Sequence, residues 1–185
     1  LIALSVLASS YVLPAYASSE TNTKVFEPPL RELWTRGPER VQRQWLIAGP
    51  VTAAVAQNID MSSLRPAVGA ALTSREPAVR WSPHTSWTDV TDLTTLAGRA
   101  PDTTGASIDR FVYVAASLPS ATAGPMDLSI GSERPYSVWL NDTLVHTREA
   151  ADVFVPDLDR LPVEMEQGEN VGLLRFHETS AGSSH

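Results

Sequence analysis

From residue 44 onward, the chain is built from short apolar runs separated by glycine, proline, asparagine and aspartate. Runs of this length are typical of β-strands, because helices need longer stretches with apolar residues three and four positions apart. We predict strands at 45–48, 108–117, 126–130, 137–140, 143–146, 153–155, 161–165 and 171–176. Short antiparallel strands with little helix favour an all-β fold, an antiparallel β-sandwich of the jelly-roll type whose two sheets share one core.

The connections between these runs carry turn signals. Asn141 and Asp142 tolerate positive φ and separate two predicted strands, which indicates a β-hairpin. The sequence Gln-Gly-Glu-Asn at 167–170 predicts a second turn, and Gly49-Pro50 is expected to end the strand at 45–48. The strand at 108–117 has apolar side chains at successive positions, so we expect it to be buried on both faces. Residues 61–72 fit either a helix or an alanine-rich loop.

The amino-terminal segment 1–19 contains no charged residue and has the small residues Ala15 and Ala17 in the A-x-A spacing that signal peptidase recognises. We expect a signal-anchor-like segment that stays attached, with further residues upstream. A retained apolar segment needs shelter, so Leu4, Leu7 and Tyr11 are candidates for contact with lipid or membrane-embedded protein. The alternative is a signal peptide that is cleaved after residue 17. Either interpretation predicts a periplasmic or otherwise extracytoplasmic, membrane-associated location.

A charged segment follows at 20–44, where acidic and basic residues alternate around Pro28-Pro29 and Gly37-Pro38. This composition is typical of a linker. Within it, residues 29–35 predict a short helix with Leu33 and Trp34 on one face, and both are candidates for contact with a partner. The rest of the chain is expected to form a β-sandwich domain at 45–177 and a polar tail at 178–185.

The composition excludes several functions. The chain has 14 Lys and Arg against 21 Asp and Glu, a net charge of −7, and no basic block, so we expect no nucleic-acid partner. It has no cysteine, which excludes disulfides, thiolate metal sites and thiol nucleophiles. None of the four histidines has a metal-binding spacing, and the motifs of nucleotide-binding proteins and hydrolases are missing. We therefore expect a protein that is not an enzyme and has no cofactor or metal.

Three further patterns leave alternatives open. The acidic residues between 152 and 169 could bind calcium, although a solvated edge that discourages sheet aggregation is favoured. Asn141 begins a glycosylation sequon, but its hairpin position already explains it. Trp81 and Trp87 are the best candidates for exposed aromatic rings that stack on a sugar or contact a partner, and the alternative is a place in the core.

The order of motifs resembles the galactose-binding-like, or discoidin-like, β-sandwich domains of exported bacterial proteins, over about residues 45–177. The segments that carry the resemblance are Trp45-Leu-Ile-Ala-Gly49-Pro50, Val79-Arg80-Trp81, Val90-Thr91-Asp92-Leu93, Phe111-Val-Tyr113, Leu128-Ser-Ile130-Gly131-Ser132, Val138-Trp139-Leu140-Asn141, Leu144-Val145 and residues 167–174. The resemblance implies a binding module whose ligand loops lie at one end of the sandwich. The chain has Glu133-Arg134-Pro135 where such domains have an acidic pair and glycine, which weakens an inherited ligand site.

Together these observations predict a non-catalytic structural or interaction subunit, docked on the protein subunits of a larger bacterial membrane complex, for example a photosynthetic or respiratory one. Membrane contact is expected through residues 1–19. The alternative is an exported carbohydrate-binding-like module with a glycan as ligand.

Overall fold

The computed structural model describes residues 2–7, 39–74, 77–86, 90–93, 109–150 and 153–179. These residues form ten strands and one helical turn, and all the strand pairs among them are antiparallel, which confirms the all-β prediction. The elements are β1 Ile2–Leu7, β2 Glu39–Val41, β3 Gln44–Thr52, α1 Ala53–Ala56, β4 Ser82–Thr85, β5 Asp109–Ser120, β6 Gly124–Ser132, β7 Tyr136–Leu140, β8 Thr143–Arg148, β9 Asp159–Met165 and β10 Gly168–Thr179.

The strands form two sheets. One has four strands in the order β2-β1-β6-β9, and the other has six in the order β4-β3-β5-β10-β7-β8. The long pairing of β5 with β10 lies in the middle of the larger sheet and extends over the full length of both strands, from Gly168 opposite Ser120 to Thr179 opposite Asp109. Among the described strands, β8 and β9 are edge strands of the two sheets, and they contact each other.

One core cluster contains side chains from both sheets. The larger sheet contributes alternate residues of β3, β5, β7 and β10, and the smaller sheet contributes residues of β6 and β9. Its largest fully buried members include Tyr136, Phe176 and Ile130. Burial of one such side chain stabilises a fold by about 1.5–3 kcal/mol, so this cluster is the main source of stability.

A second cluster covers the opposite, outward face of the six-stranded sheet. Here α1 and the loop that follows it place Met61, Leu72 and Trp81 over Tyr113 and Leu173. The strand β5 is therefore buried on both faces, as its uninterrupted apolar sequence predicts. Residues 61–72 form turns and loop, which decides between the two alternatives for this segment.

The two predicted turns are confirmed. Asn141 and Asp142 have φ values of 46° and 69° and connect β7 to β8 as a tight hairpin. Gly168 has φ of 105° where β9 turns into β10. Positive φ at consecutive residues suits the right-handed twist of hairpin strands, which is why Asn-Asp is a good turn sequence.

Two strand predictions are wrong. The strand β3 does not end at Gly49-Pro50 but continues to Thr52, because a bulge between Ala48 and Val51 absorbs the two residues. Gly49 has φ of 134°, and a Cβ atom there would lie 3.0 Å from the carbonyl oxygen of Phe111. The predicted strand at 153–155 is also wrong, since this segment pairs with no strand among the described residues and connects β8 to β9.

The segment 2–7, which the sequence assigns to an apolar leader, forms β1 between β2 and β6. It pairs with β6 along its whole length, from Ile2 opposite Ser132 to Leu7 opposite Asp127. The rest of the predicted anchor and the predicted helix at 29–35 lie outside the described residues. No helix in the described part of the chain has both the length and the apolar character of a membrane span.

Candidate functional site

The strand register aligns five side chains across the outward face of the six-stranded sheet. Ala48, Tyr113, Arg175, Ser137 and Thr147 occupy one row on successive strands. Toward β8, this row opens into a cavity of about 190 Å³. We call it the arginine pocket, and its lining includes Phe111, Ser137, Thr147, Glu149, Arg175 and His177.

Arg175 is held by aromatic rings in this pocket. The carbon atom of its guanidinium lies 5.6 Å from the centre of the Phe111 ring and 5.4 Å from that of Trp139. The Phe111 ring is also stacked on His177 at 4.7 Å between ring centres, and His177 Nε2 lies 3.2 Å from Asp109 Oδ1. Cations are attracted to ring faces at these distances, so the rings fix the position of the guanidinium.

Tyr113 lies next to Arg175 under the loop layer. Its side chain is fully buried, and among the described residues the polar group that its hydroxyl meets is the Arg175 guanidinium. Burial raises the pKa of Tyr113 to about 12, and the neighbouring Arg175 guanidinium acts in the opposite direction. The hydroxyl is therefore neutral at physiological pH.

A second cavity, of about 340 Å³, opens on the same face toward the Gly168 end of β10. We call it the polar groove; Gln44, His84, Thr85, Ser117 and Glu169 line it together with apolar residues. The Ser117 hydroxyl donates a hydrogen bond of 2.7 Å to Glu169 Oε1. The groove thus combines neutral polar groups with one carboxylate.

The loop that follows α1 is tied to the β7–β8 turn. Arg65 donates two hydrogen bonds, of 3.0 and 2.9 Å, to the Asp142 carboxylate in the β7–β8 turn. Both side chains are exposed, so this bidentate pair contributes more to position than to stability.

A third feature is a set of exposed apolar side chains on the edge strand β8 and in the connection from β8 to β9. Leu144 and Val145 on β8 and Val153, Val155 and Leu158 in the β8–β9 connection are exposed, Val153 to 77%. We call these five residues the apolar edge. Exposed large apolar side chains are a feature of interaction surfaces.

Polar contacts beneath the apolar edge join the two sheets. The Tyr136 hydroxyl of β7 donates to Asp159 Oδ2 at the start of β9, and Arg148 of β8 lies 3.1 Å from the same oxygen. Burial raises the pKa of Tyr136 well above its usual range, and the hydrogen bond to Asp159 acts in the same direction with a smaller effect. The contact holds β8 and β9 side by side and so positions the apolar edge.

The predicted site residues have different outcomes. Trp81 is only 2% exposed and packs in the second cluster, so the prediction that its ring contacts a partner or a sugar is wrong; the loop layer provides a core that the sequence pattern did not reveal. The backbones of Leu4 and Leu7 lie in β1. The remaining candidates lie outside the described residues, namely Tyr11, Leu33, Trp34 and Trp87.

Two other sequence patterns are explained by the fold. The Asn141 side chain donates a hydrogen bond to Asn170 Oδ1 and accepts one from the Val171 amide. These contacts explain why asparagine stands at this position, and glycosylation is not needed to explain it. No group of three or more histidine, aspartate or glutamate side chains that could hold a metal occurs in the described part of the chain.

The arginine pocket was not predicted, because its residues come from distant parts of the sequence. Phe111, Ser137, Thr147 and Arg175 meet only through the register of four strands. One signal was available: Arg175 is the single charged residue within the apolar run 171–176. A charge in such a strand indicates a specific role for its side chain.

No protein-family model, curated protein or solved structure matches the chain. The resemblance to galactose-binding-like domains therefore stays a prediction that depends on the motif order alone.

Proposed function

We propose that the chain is a non-catalytic interaction domain, an antiparallel β-sandwich of the galactose-binding-like, jelly-roll type that docks on a larger membrane complex outside the cytoplasm. The observation that carries this proposal is the apolar edge. It combines exposed apolar side chains with an edge strand, and both features suit contact with another protein.

The edge strand β8 has one neighbour, β7, among the described strands. Its outer edge pairs with none of the described strands, and Leu144 and Val145 are exposed on it, which favours the addition of a strand from another chain. Proteins usually protect such edges with charges, proline or a covering loop. A partner that adds a strand to β8 and covers Val153 and Leu158 satisfies the main-chain groups and buries the apolar side chains.

The membrane part of the proposal has a separate basis. It is supported by the uncharged composition of residues 1–19 and by the small residues Ala15 and Ala17. The proposal of export and membrane contact is based on these sequence features alone and not on the apolar edge or on the strand β1 that residues 2–7 form.

The test is recovery of the tagged full chain from detergent-solubilised membranes of its host. We expect the chain to purify with other subunits in fixed stoichiometry. The double variant Val153→Glu/Leu158→Glu should lose these subunits, because two carboxylates would be desolvated at the interface. The matched control is Val68→Glu, which changes an equally exposed valine in the loop layer and should retain them. Purification of the unchanged chain as a free monomer, or retention of the subunits by the double variant, contradicts the proposal.

A carbohydrate-binding module is the second candidate, and the polar groove favours it. Its amide, imidazole, hydroxyl and carboxylate groups match the hydroxyls of a neutral sugar. Titration calorimetry with neutral oligosaccharides should give saturable heat that Glu169→Ala abolishes and that Glu164→Ala, an exposed change on β9, leaves intact. A complete absence of heat for the unchanged chain excludes this candidate.

A further inference from the structure

The geometry points to the arginine pocket as a binding site for a small hydroxy-carboxylate, such as a sugar acid, with the carboxylate on Arg175 and the ligand hydroxyls on Ser137, Thr147 and Glu149. This site is independent of the apolar edge and of the polar groove, so it goes beyond the proposed function.

The first argument is the state of the guanidinium. Arg175 is half-buried and forms no ion pair with the residues that the structure describes, and the Tyr113 hydroxyl beside it can satisfy at most one of its donors. A guanidinium has five N–H donors, and burial removes some of the water that would otherwise accept from them. The two ring contacts offset part of the charge but accept no conventional hydrogen bond. An anion in the pocket supplies the missing acceptors.

The second argument is preorganisation. Phe111 and Trp139 both lie within cation–π distance of the guanidinium, and Phe111 is itself supported by His177. The long arginine side chain therefore loses little additional freedom when a ligand binds. A fixed planar fork matches the two oxygens of a carboxylate, which favours bidentate binding.

The third argument concerns the other polar groups of the cavity. Ser137 and Thr147 lie side by side, with the Thr147 hydroxyl donating to Ser137 Oγ at 3.2 Å, and Glu149 completes this side. These groups suit ligand hydroxyls. The Glu149 carboxylate forms no ion pair with Arg175, and its negative charge disfavours a dianion such as phosphate. A volume of about 190 Å³ limits the ligand to a small molecule.

The test uses the full chain and D-glucuronate as the probe. Backbone and indole resonances are followed by NMR at low salt during titration with glucuronate, with glucose and with inorganic phosphate. We expect saturable shifts at Ser137, Thr147, Arg175 and the Trp139 indole with glucuronate only. Arg175→Gln should weaken binding roughly tenfold or more, because a charge-assisted bidentate contact is lost. Arg175→Lys should bind at an intermediate level, since it retains the charge without the fork.

The matched control is Arg160→Gln, which removes the same charge from an exposed position on β9 and should leave glucuronate binding unchanged. If Arg175→Gln does not fold, the comparison of Arg175→Lys with the unchanged chain decides the result. The proposal is overturned if glucuronate does not bind, if glucose or phosphate binds equally well, or if the Arg175 variants bind like the unchanged chain.

Discussion

Asn170 is the most connected polar side chain among the described residues, and it is fully buried. Its Oδ1 accepts hydrogen bonds from Asn141 Nδ2 at 2.7 Å and from the Glu166 amide at 2.9 Å. Its Nδ2 donates to the Glu166 carbonyl at 2.9 Å and to the Leu118 carbonyl at 3.3 Å. One amide thus joins the β7–β8 and β9–β10 turns to β5. This role exceeds the local reversal that the sequence predicts for residues 167–170.

We expect Asn170→Ala to lower the free energy of unfolding by about 2–4 kcal/mol, because it leaves several buried donors and acceptors unpaired at once. Urea unfolding followed by tryptophan fluorescence measures the loss. Asn58→Ala is the control: the Asn58 side chain is exposed and bonds only to the Ala54 carbonyl, so a change below about 0.5 kcal/mol is expected. Equal effects of the two substitutions would show that the buried network does not stabilise the fold.

Tyr113 gives a prediction about alkaline pH. Its pKa is about 12 in the folded chain and near 10 in a solvated tyrosine, so the folded state holds its proton more tightly. This contribution is complete below pH 10 and is lost as the pH rises from 10 to 12. The slope is at most about 1.4 kcal/mol per pH unit for one group.

Urea midpoints measured from pH 8 to 11.5 should therefore fall less steeply for Tyr113→Phe than for the unchanged chain. A slope remains in the variant, because the pKa of Tyr136 is raised in the same direction. Identical slopes in both chains would contradict the assigned pKa of Tyr113.

At the level of elements, the hairpins could be predicted from local sequence, whereas the connection between β8 and β9 could not. Residues 153–155 have the composition of a strand but pair with none of the described strands. Instead, the connection passes closely over β6, where a Cβ at Gly131 would lie 2.5 Å from the Val155 carbonyl oxygen and 2.9 Å from Pro156 Cα. Gly131 therefore allows the close approach that positions Val153, Val155 and Leu158 at the apolar edge.

We expect Gly131→Ala to cost about 1–3 kcal/mol of stability, because backbone atoms of the connection must move. Gly172→Ala on β10 is the matched control. A Cβ there meets the end of the flexible Leu118 side chain at 3.1 Å, which can adjust. Both substitutions restrict the unfolded chain equally, so the difference in thermal unfolding isolates the backbone contact. A smaller loss for Gly131→Ala than for Gly172→Ala would exclude this contact.

At the level of the whole molecule, the six-stranded sheet lies between two unlike layers. The inner face packs on the four-stranded sheet, and the outer face is covered in part by the loop that Arg65 ties to Asp142. The uncovered parts of that outer face form the arginine pocket and the polar groove. In the smaller sheet, β1 lies between β2 and β6 and so has a structural role that a leader peptide lacks.

A chain that begins at residue 18 should therefore be less stable than the full chain, because it lacks β1 and exposes the edge of β6. Ser5→Pro tests the same point without shortening the chain, since proline cannot donate a ladder hydrogen bond. We expect both changes to lower the urea midpoint. The loss in free energy of unfolding should be a sizeable part of the about 5–15 kcal/mol typical of a domain. Unchanged midpoints would favour a leader that is dispensable for folding.

The sequence by itself determined the local features of this protein. The spacing of apolar residues, the length of the apolar runs and the turn residues predicted the antiparallel strands and the Asn141-Asp142 hairpin. They could do so because the two faces of a strand and the φ values of a turn depend on neighbouring residues. Only the tertiary structure decided the bulge at Gly49, the burial of Trp81 and the meeting of Phe111, Ser137 and Arg175. These depend on which strands pair, in which register, and on what covers each face, and such long-range choices leave no signal in any short stretch of sequence.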